Sequence, residues 1–179
     1  MRLKVGDILV FKRKGKTAAV LSLLIKVFEP KWDRWGWHTA IVTSVNRAGD
    51  IWIIEGTSPK STGRELEEGE NVRVYRVFTE LDRDKTFNRD MHITVISHIN
   101  KPYDVAIYFW TALQYTIRHF FNHRIPRLLD DRYTCWELVC SICRDLDKPI
   151  NSKYNCPMLP DILKAIGNTF VTEYGKEKE

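Results

Sequence analysis

The hydrophobic period shifts from mainly strand-like in the first half of this chain to mainly helical in the second, and that shift limits the architecture more than any other feature. Early on, Val5–Lys12, His38–Val45 and Ile51–Glu55 are rich in β-branched and aromatic residues with strand-like alternation, the pattern of half-buried strands. Later, Tyr103–Asn122 and Thr134–Leu146 carry apolar residues at helical spacing, the rows of buried helices. Strands gathered ahead of helices read as an α+β domain, a small antiparallel sheet or barrel packed against helices. With 179 residues, one hydrophobic core is expected, spanning residues 1–175 with a charged tail over 176–179.

Turn chemistry divides the early segments. Asn46–Asp50 contains Gly49 and reverses the chain between two strands, which predicts a hairpin. Val72–Phe78 reads as a third strand, and the polar stretch Thr57–Gly69 between them as a loop. Thr17–Phe28 places Val20, Leu23, Leu24 and Val27 on one helical face and stops before Pro30. The aromatic segment Trp32–Trp37 follows as a loop. Met91–Ile99 fits either a strand or a short helix. A short helix after Pro160 and a strand over Thr169–Tyr174 complete the reading.

The formal charge of +5, from 28 Lys and Arg against 23 Asp and Glu, is spread along the chain and forms no nucleic-acid motif. No secretory h-region opens the sequence. The longest apolar stretch, Ala18–Phe28, is interrupted by Ser22 and Lys26 and is too short for a bilayer span. A cytoplasmic protein with reduced thiols is expected, since Cys135, Cys140, Cys143 and Cys156 cluster late in the chain.

The sharpest chemical signal is at Thr134. With Glu137 it forms a T-x-x-E capping box, which puts Cys135 at the first helical position. Unpaired backbone N–H groups and the positive end of the helix dipole stabilise a thiolate there. Such a nucleophile needs an imidazole, and His38, heading a strand after the aromatic loop, is the best candidate. The ring in turn needs a polar acceptor. Glu55, at the end of the adjoining strand, can serve, with Thr57 and Ser58 as substitutes because strand register is open at this level.

Taken in order, GDILVF, an apolar helix, WHTAIV, IIEG, KPYD and YTCWELV resemble the circularly permuted NlpC-type papain-like proteins. This group includes the YiiX-like proteins and relatives of lecithin retinol acyltransferase. The resemblance spans residues 5 to about 165, and the histidine strand precedes the cysteine helix, as in that family. It implies a thiol hydrolase or acyltransferase with Cys135 as nucleophile, His38 as base, Glu55 as third member and Tyr103, from the Pro-Tyr-Asp segment, as an active-site tyrosine. No cofactor is implied. Two departures stand out: Trp136 follows the cysteine where the family often has Ser, and Gly56 follows the glutamate where Ala is commoner. Trp136 bears on the pocket shape, and Trp35 and Trp37, beside the histidine strand, are expected to help line an acyl-binding groove.

The implied substrates are lipid-linked or acylated molecules, or cell-wall peptide, with a membrane surface as a partner. A non-catalytic lipid-binding module is the main rival, drawn from the Thr17–Phe28 helix, its flanking Lys12, Arg13, Lys14, Lys16 and Lys31, and Trp32, Trp35 and Trp37. A zinc site from Cys140, Cys143, His119 and His123 is the lesser rival. Their spacing fits helix faces buried in a core better, so no metal is expected.

Overall fold

The computed structural model describes residues 2–12, 36–103, 117, 133–150 and 159–175. These hold six strands: β1 (Ile8–Lys12), β2 (Gly36–Val45), β3 (Ile51–Gly56), β4 (Ser61–Glu65), β5 (Val72–Tyr75) and β6 (Phe170–Tyr174). Three helices accompany them: α1 (Phe87–His98), α2 (Cys135–Asp145) and α3 (Leu159–Ile166). The strands form one open antiparallel sheet in the order β4-β3-β2-β1-β5-β6. The architecture is therefore α+β, with an open sheet in place of a barrel.

Alternation along the central strands sends side chains into two apolar layers. Ile8, Val10, Ile41 and Ile54 pack with Met91, Leu138, Val139, Ile142 and Ile162 in the layer shared with the helices. Leu9, Phe11, Ala40, Val42, Ile53, Val72 and Val74 form a second cluster with Leu3 and Leu66. β1 lies between β2 and β5 and contributes to both, which is why ILVF reads as an unbroken apolar run.

The expected β2–β3 hairpin forms. The Asn46 side-chain carbonyl accepts from the Gly49 and Asp50 main-chain N–H groups, each at 2.9 Å, and Gly49 takes a positive φ of 101°. Before β1, Gly6 also has positive φ, and a Cβ there would lie 2.8 Å from the Phe78 ring. Its neighbour Asp7 is fully buried and bound by Arg76 at 2.7 and 2.8 Å and by Arg83 at 3.1 Å. The Gly-Asp pair opening GDILVF thus fixes how the chain enters the sheet.

One expectation changes on contact with the structure and one open reading is settled. The Thr57–Gly69 stretch is not all loop: Ser61–Glu65 forms β4, pairing with β3 as Glu55 opposite Thr62 and Ile53 opposite Arg64. STGRE lacks an apolar face because this is an edge strand. Met91–Ile99 resolves as part of α1, where Phe87, Met91, Val95 and His98 are buried at helical spacing while Ile93 and Ile96 point outward. Thr134–Leu146 is a helix within one residue at each end, and the predicted face of Val139, Ile142 and Cys143 is buried. The Thr17–Phe28 helix, the Trp32–Trp35 segment, most of Tyr103–Asn122, Cys156 and the charged tail lie outside the described residues. No helix among the described residues is long and apolar enough to cross a membrane.

Candidate active site

Because β2 and β3 are antiparallel, the start of one lies beside the end of the other, with Ala40 opposite Glu55. His38 is two residues from Ala40, so it shares a face with Glu55 and sits on its diagonal. The two side chains meet, with His38 Nε2 2.9 Å from Glu55 Oε2. Thr57 instead turns its hydroxyl to the Lys60 carbonyl and Thr62, and Ser58 is exposed. Glu55 is the third group that the fold delivers.

The cysteine helix begins at the same end of the sheet. A Cβ on Gly56 would stand 3.0 Å from Cys135 Cα and 3.1 Å from its main-chain N, so the missing side chain lets α2 start directly against β3. The capping box is complete. Thr134 Oγ1 accepts from the Glu137 N–H at 3.3 Å, and Glu137 Oε2 accepts from the Thr134 N–H at 2.9 Å and its hydroxyl at 2.8 Å. This box sets the Cys135 N–H in the first turn, where the helix leaves it without an internal partner.

The Cys135 thiol and the His38 ring lie close enough for each to shift the other's protonation. With Nε2 engaged by Glu55, Nδ1 is the ring nitrogen left for the sulfur. Burial would push the Cys135 thiol up, but the charge and hydrogen bond of His38, then the N–H and hydroxyl of Thr39, outweigh it and bring the thiol below its ordinary range. The Thr39 hydroxyl is buried beside this pair without a hydrogen-bond partner among the described residues. On His38, burial opposes the charge, while the Cys135 charge and hydrogen bond, followed by those of Glu55, raise its pKa to about 10. Burial also opposes charge on Glu55, and hydrogen bonds and charges from His38 and Arg64 hold it down at about 2. Cys135, His38 and Glu55 thus form a row in which each group favours the charged form of its neighbour. Cys135 is 2% exposed and the His38 side chain 23%, so the imidazole is the member open to an incoming molecule.

Tyr103 approaches along the lead-in to α2. Its N–H donates to the Pro59 carbonyl at 2.8 Å, and it bridges to Tyr133, whose N–H donates to the Pro102 carbonyl at 3.0 Å. Tyr133 is two residues before Cys135, so the Tyr103 backbone runs beside the lead-in to Cys135. The Trp136 ring is buried in the core between sheet and helices. Trp37 lies on β2 next to His38, and Trp35 lies outside the described residues.

The other described cysteines are also free thiols. Burial and the Glu137 charge push Cys140 up to about 12, and burial drives Cys143 further up. No group of three or more metal-type ligands occurs among the described residues. His119 and His123 fall outside them.

Sequence reasoning missed Arg64, Glu70 and Thr39. Arg64 donates from Nε to Glu55 Oε1 at 2.8 Å, an interaction visible only once β4 is recognised. The signal was present: Thr57–Lys60, containing Pro59, fits a four-residue hairpin loop, and continuing the pairing beyond it sets Arg64 diagonal to Glu55. No family model and no curated protein matches this chain.

Proposed function

We propose that this chain is a cysteine hydrolase with a papain-like, circularly permuted NlpC-type fold, acting on an amide, ester or thioester of a lipid-linked, acylated or cell-wall peptide substrate. The observation that carries the reading is the row Cys135–His38–Glu55, in which a thiol brought below its ordinary range by the neighbouring imidazole faces a ring held from behind by a carboxylate at 2.9 Å.

In this reading Cys135 sulfur attacks the substrate carbonyl carbon, and the carbonyl π pair moves onto oxygen. The Cys135 N–H at the start of α2 donates to that oxyanion. As the tetrahedral adduct collapses, the His38 proton passes to the leaving amine, alcohol or thiol, and an acyl-enzyme remains. Neutral His38 then takes a proton from water, whose oxygen attacks the acyl carbon and releases the acid and the thiolate. Transfer to another acceptor in place of water gives acyltransferase chemistry from the same intermediate. Glu55 keeps the ring oriented through Nε2 and balances its charge in both steps.

Trapping the intermediate tests this. Incubation with an activated acyl thioester, acid quench and peptide mapping should give a mass increase equal to the acyl group on the Cys135 peptide, lost in Cys135→Ala. Turnover of the thioester that is unchanged in Cys135→Ala would overturn the proposal and favour a binding module.

A further inference from the structure

Glu55 is shared. While Oε2 faces His38, Arg64 forks onto the same carboxylate, with Nε 2.8 Å from Oε1 and Nη2 3.3 Å from Oε2. The other side of the guanidinium forks onto Glu70, with Nη1 2.9 Å from Oε2 and Nη2 3.1 Å from Oε1. Nη1 also donates to the Glu65 carbonyl at 3.0 Å, and Glu70 Oε2 accepts from the Glu67 N–H at 3.0 Å. The Arg64 guanidinium carbon lies 5.6 Å from the centre of the Phe11 ring, and that ring lies 5.5 Å from the His38 ring. Phe11 thus packs against both the base and the guanidinium. Every nitrogen of Arg64 is committed, so the group has one orientation.

An isolated ion pair on an edge strand contributes little. This one differs because the carboxylate it grips is 8% exposed and is also bound to a histidine. Charge alternates along the row: thiolate, imidazolium, Glu55, Arg64, Glu70. The charged groups acting on the His38 ring are Cys135 from α2 and Glu55 from β3, and those acting on Glu55 are His38 and Arg64 from β4. Arg64 offsets part of the negative charge that Glu55 presents to the ring, and Glu70 in turn offsets Arg64.

We infer that Arg64 and Glu70 are positioning residues that fix the orientation of Glu55 and set the effective charge it presents to His38. The inference rests on the reading of Cys135 and His38 as nucleophile and base. It assigns a functional role to Glu70, in the β4–β5 connection, which need not touch substrate.

The test is the pH profile of Cys135 alkylation by iodoacetamide, read by peptide mapping in the full chain. Glu70→Gln leaves Arg64 less neutralised, so His38 gives up its proton at lower pH. The upper limb of the profile should move down by about half a pH unit, the size of one charge acting through partly solvated protein. Glu70→Asp, which keeps the charge, should stay with the wild type. In an Arg64→Met background Glu70→Gln should produce no further shift, because the path between them is gone. Should Arg64→Met fail to fold, the comparison of Glu70→Gln with Glu70→Asp decides alone. A Glu70→Gln profile that superimposes on the wild type, with labelling still dependent on His38, overturns this inference and leaves the proposed function standing. Wild-type labelling independent of His38 removes both.

Discussion

Cys135 and Cys143 lie on one helix about two turns apart and are equally hidden, at 2% and 0% exposure, yet their surroundings drive the two thiols in opposite directions. Burial raises both. At Cys143 nothing opposes it, and with Cys140 nearby the sulfur remains a neutral filler of the core. At Cys135 the His38 ring and then the Thr39 donors meet the same burial and overcome it. The opposite shifts therefore trace to the junction between the helix start and the end of the β2–β3 hairpin. Neither the residue type nor its depth sets them.

The largest expected effect comes from removing the imidazole. In His38→Ala the thiol returns to its ordinary range or above, leaving about one per cent thiolate at neutral pH. Cys135 alkylation at pH 7 should fall on the order of a hundredfold, toward the rate of Cys140. Equal labelling of all cysteines in the wild type would erase the contrast between the two ends of α2.

Gly56→Ala attacks the junction without touching a reacting group. The added methyl meets the Cys135 backbone at 3.0 Å, so α2 must shift or the strand must yield, at a cost of roughly 1–3 kcal/mol. The denaturation midpoint should drop, with Cys135 labelling slowed and Cys143 still protected in the folded state. A variant of wild-type stability and reactivity would show that the close approach is not needed.

Glu55→Gln should act more mildly and only at the reactive end. The amide can still bond to the ring but no longer balances its charge, so His38 loses its proton at lower pH. The upper limb of the Cys135 profile should move down by about one unit, with no change at Cys140. The sign for stability follows from Glu55 being held at about 2, below its ordinary value. Its contribution is complete above the unfolded carboxylate range near 4.5 and is lost as pH falls toward 2. Acid titration of unfolding should therefore lose this part of its slope in Glu55→Gln.

The parts of this site written in neighbouring residues were legible. Thr134 and Glu137 announce the helix start because a capping box is a contact between residues three apart. Alternation in β2 and β3, joined by Asn46–Asp50, announces the hairpin for the same reason. What escaped depends on strand pairing or on a missing atom. Ser61–Glu65 carries two charges and a glycine, so its pairing with β3 outweighs its own weak preference for a strand. Without β4 there was no reason to bring Arg64 to Glu55. Gly56 registered as a departure from a pattern, but its use emerges only when the Cys135 backbone is seen against it.

The base, its carboxylate and its guanidinium come from three consecutive strands, whereas the sulfur arrives with a helix encoded far downstream. During synthesis the hairpins can therefore assemble before Cys135 leaves the ribosome, and the cysteine emerges as an ordinary thiol. The low-lying thiol therefore depends on α2 seating against Gly56, and before that contact forms Cys135 is held only by its own helix.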